Sequence, residues 1–111
     1  LPELEVIGEK KADILLVGWG GTYGHLYTAA KKLLAEGKKV GFAHFDYINP
    51  MPKNTEEVLN NYKTILVCEL NSGHFANLLR AKYPHMDIRQ LNKIQGQPFV
   101  VHEITEAVEA M

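Results

Sequence analysis

The chain has 111 residues, enough for one domain with a buried core and too few for two ordinary ones. Hydrophobic residues make up 46% and charged residues 23%, with 12 basic against 13 acidic side chains and a formal net charge of −1. Disordered and fibrous classes are excluded, the charge gives no reason to expect nucleic acid, and no apolar run approaches the ~20 residues of a membrane span. A single cysteine, Cys68, leaves no internal disulfide, as expected of a cytoplasmic protein in a reducing compartment. The chain opens on Leu1 rather than methionine and carries no signal-peptide pattern, so a piece of a longer subunit is expected.

Ile14-Leu15-Leu16-Val17 is a continuous apolar run of the kind that forms a strand buried on both faces. Leu26, Ala29, Ala30, Leu33 and Leu34 then recur at helical spacing, and Gly37 supplies a stop. Val40 to Tyr47 reads as a second strand, leaving through Asn49-Pro50-Met51-Pro52, which cannot continue a ladder. Asn54 with Glu57 three residues on predicts a capped start for a short helix through Tyr62. Thr64 to Cys68 is a third strand, and Phe75, Leu78 and Leu79 mark a helix ending near Pro84. Met86 to Leu91 is a candidate fourth strand, and Ile104, Ala107, Val108 and Met111 mark a last helix. Strands alternating with helices predict βαβ units and a parallel sheet covered on both faces. The simplest winding orders the strands second, first, third, fourth, with the switch point between the first and the third. The loops Gly18–Gly24 and Glu69–His74 then meet at the crevice where open α/β sheets bind ligands.

The first loop invites a nucleotide, because glycines after a strand let backbone amides approach a phosphate. Gly18 and Gly20 fit the dinucleotide pattern, but Tyr23 stands where its third glycine belongs and Gly24 comes one residue late. A tight turn for helix packing is the favoured reading, and a free-standing nucleotide- or flavin-binding module is the alternative. Glu69 ends an apolar strand and is either an acid–base group with a shifted pKa or an acceptor for amides at a helix start; the structural role is favoured. Cys68 reads as a small buried thiol. The five histidines form no pair at metal-ligand spacing, although His25 and His74 open helices beside the crevice. Trp19, Tyr23 and the Pro50–Pro52 segment are candidate exposed interface surfaces, with packing inside the domain as the competing reading.

Gly18-Trp19-Gly20-Gly21-Thr22-Tyr23-Gly24, Asp46-Tyr47-Ile48-Asn49-Pro50-Met51-Pro52 and Cys68-Glu69-Leu70-Asn71-Ser72-Gly73 together resemble the second domain of 2-oxoacid:ferredoxin oxidoreductase α subunits. Lys93-Ile94-Gln95-Gly96-Gln97-Pro98-Phe99 with Glu103-Ile104 matches as well, and the likeness points within the family to the 2-oxoglutarate branch. The family commonly has serine at the position of Gly21 and glutamine at that of His74, which puts polar contacts from those positions in doubt. The resemblance implies a transketolase C-terminal-like α/β/α domain with a mostly parallel five-stranded sheet and one antiparallel edge strand, Leu4 to Gly8, beside the second strand. It implies a parent enzyme that uses thiamine diphosphate, Mg and an iron–sulfur cluster to turn a 2-oxoacid into an acyl-CoA. Its expected partners are the pyrimidine-binding domain of the same subunit, the β subunit and ferredoxin. No catalytic, cofactor-binding or metal residue is expected within this domain, which is expected to be an inactive scaffold. Its candidate interface or crevice comprises Trp19, Gly20, Gly21, Thr22, Tyr23, Pro50, Pro52, Glu69, Asn71, Ser72 and His74.

Overall fold

The computed structural model describes residues 3–20, 23–46, 48, 51–69, 74–92 and 101–111. In chain order the elements are β1 (Val6–Gly8), β2 (Ala12–Trp19), α1 (Tyr23–Ala35), β3 (Val40–Phe45), α2 (Thr55–Leu59), β4 (Tyr62–Glu69), α3 (His74–Lys82), β5 (Asp87–Asn92) and α4 (Val101–Glu109). The five strands form one sheet in the order β1-β3-β2-β4-β5. β1 runs antiparallel to β3, and the remaining neighbours are parallel. The winding expected from the strand–helix alternation and the antiparallel edge strand implied by the resemblance are both present.

Alternation along the strands divides the core in two. Leu15, Val17, Ala43, Phe45, Ile65 and Val67 point to the side of Phe75 and Leu79 on α3. Leu16, Phe42, Leu66 and Cys68 point to the other side, where Leu26 and Leu33 of α1 meet Ile104 and Val108 of α4. Burying each of the larger of these side chains contributes roughly 1.5–3 kcal/mol, so the central strands carry much of the core's stabilisation. α1 ends as expected: Gly37 takes a φ of +85°, and the Gly37 and Lys38 amides donate back to the Leu34 and Leu33 carbonyls at 3.1 and 2.9 Å, a Schellman closure.

Several boundaries differ from the sequence reading by a few residues. β2 runs on through Trp19 and α1 begins at Tyr23, so Gly18 is a strand residue paired to both His44 and Cys68. β3 stops at Phe45, and α2 stops at Leu59, because Tyr62 already opens β4. Asn54 does not cap α2 with its side chain. Its Oδ1 accepts the Leu4 amide at 2.7 Å and its Nδ2 donates to the Leu4 carbonyl at 2.9 Å. The polar side chain read as a local cap is a long-range clasp that holds the start of the chain.

The edge strand is held further along too. The Glu9 amide donates to the Val40 carbonyl at 3.0 Å, and the Tyr62 hydroxyl donates to the Glu9 carbonyl at 2.6 Å. Burial, reinforced by the nearby Glu9 carboxylate, pushes the Tyr62 hydroxyl up to about 12. This strap passes so close over β3 that a Cβ on Gly41 would sit 2.5 Å from the Tyr62 hydroxyl and 2.7 Å from the Glu9 carbonyl. Gly8, with φ +94°, would bring a Cβ within 2.6 Å of the Val40 carbonyl. Only glycine fits either place.

Candidate functional site

Two places gather polar side chains. The first is the switch-point end of β2 and β4. Glu69 closes β4 and is 1% exposed. Its Oε1 accepts the Phe75 amide at 2.8 Å and its Oε2 accepts the Ala76 amide at 2.9 Å. These are the second and third residues of α3, whose N–H groups have no partner inside the helix. Glu69 therefore does the work of a capping side chain from the neighbouring strand, where a carboxyl group also suits the positive end of the helix. The Trp19 ring N–H donates to Glu69 Oε1 at 3.4 Å, and the ring tilts against Phe75 with centroids 6.1 Å apart. The acceptor reading of Glu69 holds: both oxygens are committed to backbone.

Several of the expected interface residues lie elsewhere than anticipated. Trp19 is half-buried rather than exposed, and Pro52 is buried, its carbonyl accepting the Thr55 hydroxyl at 2.7 Å. Gly20 is exposed in a left-handed turn, φ +70°, and His74 is the exposed first residue of α3. α1 and α3 cover opposite faces of the sheet, so His25 and His74 approach its end from opposite sides. Gly21, Thr22, Pro50, Asn71 and Ser72 lie outside the described residues. Only three residues, 20–22, separate β2 from α1; the other glycines of the supposed phosphate loop are spent in strand and helix.

The second place was not singled out from the sequence, apart from Tyr23. On the α1 side of the sheet, next to β1, lies a cavity of about 420 Å³. Ile7, Phe42 and His44 form its floor, Tyr23 its wall, and Glu3, Glu5 and Asp46 its rim. Tyr23 is 46% exposed. Its ring meets His44 edge-on at 5.2 Å and Phe42 at 5.6 Å, and stacks within 9° of parallel on Tyr27 at 6.0 Å. The His44 side chain is 12% exposed, and its Nε2 lies 3.9 Å from Asp46 Oδ1. Its Nδ1 is one of the few buried side-chain polar atoms without a partner among the described residues. Burial holds the imidazole below its ordinary value, and the Asp46 carboxylate opposes that only in part. A strand histidine between Ala43 and Phe45 looks like core in the sequence; the period-2 alternation that puts it beside Phe42 was the available signal.

Among the described residues no three His, Cys, Asp or Glu side chains converge. Cys68, the chain's one cysteine, is buried, and burial followed by the neighbouring Glu69 charge pushes its thiol up to about 12. An iron–sulfur cluster takes four such ligands as thiolates.

A three-layer α/β domain whose switch-point carboxyl group caps a helix is the class defined by this fold and this site. Residues 12–105 match the pyruvate:ferredoxin oxidoreductase core domain II family, and the chain belongs to that family. It is 39% identical over 111 residues to the 2-oxoglutarate oxidoreductase subunit KorA of Mycobacterium tuberculosis, covering 99% of this chain and 17% of that protein. Over 104 residues it is 31% identical to subunit alpha of 2-oxoacid:ferredoxin oxidoreductase 2 of Aeropyrum pernix, covering 92% of this chain and 16% of that protein. The chain thus spans about a sixth of the curated relatives it matches.

Among solved structures, it superimposes with a TM-score of 0.90 on the 2-oxoglutarate:ferredoxin oxidoreductase of Magnetococcus marinus, determined with 2-oxoglutarate, coenzyme A and succinyl-CoA bound. That match has 28% identity and covers 99% of this chain and 20% of the other. A split-gene transketolase, at 19% identity over 97% of this chain and 41% of its own, shares the fold with a TM-score of 0.74. Sequence and fold thus agree on a domain of the pyruvate:ferredoxin oxidoreductase core domain II type. The alternative of a free-standing nucleotide- or flavin-binding module finds no support.

Proposed function

We propose that this domain is a non-catalytic assembly element of a thiamine-diphosphate-dependent 2-oxoacid:ferredoxin oxidoreductase, of the type that oxidises 2-oxoglutarate to an acyl-CoA. The observation that carries the reading is the commitment of Glu69. Among the described residues the one buried carboxyl group at the switch point is spent on the Phe75 and Ala76 amides, and the family match supports a parent complex of this kind. The domain would pack on the pyrimidine-binding domain of the same subunit and near the β subunit, in the cytoplasm. Thiamine diphosphate, Mg and the iron–sulfur cluster would be held outside it, with ferredoxin taking the electrons.

The test is twofold. The purified chain alone, given 2-oxoglutarate, coenzyme A, thiamine diphosphate, Mg and oxidised ferredoxin, is expected to release no carbon dioxide. Combined with the remaining domains and subunits of its complex, it is expected to be retained and to support turnover. Unaided turnover, or micromolar calorimetric binding of NAD or FMN, would overturn the reading.

A further inference from the structure

The cavity beside β1 combines two features that the assembly role of the switch-point end does not use. Its rim carries three carboxylate side chains, Glu3, Glu5 and Asp46, and among the described residues no cation lines it. Its wall is the outward-facing Tyr23, which continues a stack onto Tyr27. That stack already attracts a cation, with Lys31 Nζ 5.9 Å from the Tyr27 ring centroid, while Tyr23 lines the cavity. Tyr23 and Tyr27 are also two of the large apolar side chains exposed among the described residues, a composition enriched at protein interfaces.

We propose that this cavity receives an arginine side chain from a protein segment lying outside this chain. A guanidinium suits it better than an ammonium, because its plane can lie on the Tyr23 ring while its fork of donors meets carboxylates. The cavity volume of about 420 Å³ is ample for one such side chain with some of its backbone. The floor of Phe42 and Ile7 takes the aliphatic stem, as long cationic side chains prefer. The buried His44 Nδ1 can accept from a backbone or guanidinium N–H brought in with the segment. The inference rests on the assembly reading only in naming a protein segment as the source; the cationic chemistry stands on the cavity itself.

The experiment titrates the chain with N-acetyl-arginine amide at low salt, following the His44 and Tyr23 ring signals by NMR, with the neutral N-acetyl-citrulline amide as control. Saturable shifts with arginine, absent with citrulline, are expected. Glu5→Gln and Tyr23→Ala should each raise the half-saturating concentration about three- to tenfold, and added salt should do the same. Glu5 and Tyr23 are exposed, and circular dichroism is the check that each variant folds. No shift at tens of millimolar arginine, or equal shifts with citrulline, overturns the proposal. A triple variant with Glu5→Gln, Asp46→Asn and Tyr23→Ala is then offered to the rest of the complex. At least about tenfold weaker retention than wild type is expected; equal retention sinks the cavity while sparing the assembly reading. If the wild-type chain itself is not retained, the assembly reading falls and the arginine titration alone decides the cavity.

Discussion

Glu69 and the acidic cavity are both groups of carboxyl and aromatic side chains at the margin of the same sheet, yet they are opposite in character. Around Glu69 the main polar atoms have partners within the domain: two helix amides and the Trp19 ring N–H share its oxygens. Around His44 a buried nitrogen has none among the described residues, and three carboxylates line an open volume. A buried acid at the end of a strand attracts attention as a catalyst, but full hydrogen bonding to backbone turns it into a fastener. Unspent bonding capacity and exposed aromatic surface are the better guides to where a partner docks.

The largest expected effect breaks the fastener. Glu69→Gln replaces one acceptor oxygen with an NH₂ group that must face a backbone N–H in a buried place. A loss of about 2–4 kcal/mol in urea unfolding is expected, with no gain or loss of any chemistry in the isolated chain. A change below about 0.5 kcal/mol would mean that the α3 amides have another partner and that Glu69 is available after all.

Trp19→Ala comes next. The ring packs on Phe75 and the core cluster of the α3 face, so about 2 kcal/mol of stability should be lost. Retention by the rest of the complex should then change no more than the loss of folded protein explains. Weaker retention with an unchanged melting point would make Trp19 an interface anchor and erase the contrast between the two regions.

Asn54→Ala should cost roughly 1–2 kcal/mol and specifically speed hydrogen exchange at the Leu4 amide. Because Glu3 and Glu5 flank Leu4, the same change should loosen one side of the cavity rim. A helix-cap role would instead speed exchange at the first amides of α2 and leave Leu4 protected.

The Asn54 result bears on how much was legible in the chain. The apolar runs around Leu15, Val40 and Ile65 suit strands covered on both faces, and their alternation with helical stripes, taken with the simplest winding, gave the parallel sheet and its order. Gly37 announced the end of α1 because the left-handed closure there favours glycine. β1 has three residues, too few for alternation to speak, and came only through the family resemblance. Asn54 was misread because a local cap and a clasp fifty residues away require the same side chain. The half-burial of Trp19 was hidden for a similar reason: its neighbour Phe75 comes from a distant helix, and no spacing encodes that contact. The acidic cavity is assembled from three separate stretches of chain, and only the fold brings them together.

The smallest expected effect sharpens the description of that cavity. His44 has a folded-state value held below its ordinary 6.5 by burial, against the pull of Asp46; Glu3, Glu5 and Tyr23 are the other titratable groups lining the same space. Where the unfolded chain takes up the proton more readily than the folded one, stability rises with pH. The contribution of neutral His44 is therefore complete above about 6.5 and is lost as pH falls through the lower folded value. His44→Phe keeps an aromatic ring against Tyr23 but cannot protonate. The stability of the wild type relative to this variant should decline on going from pH 7 to pH 5, while the common carboxylate titrations cancel in the difference. A relative gain for the wild type at pH 5 would mean that the rim carboxylates outweigh burial and favour a protonated imidazole. The cavity would then supply part of its own positive charge, and a guest arginine would meet repulsion where attraction is now expected.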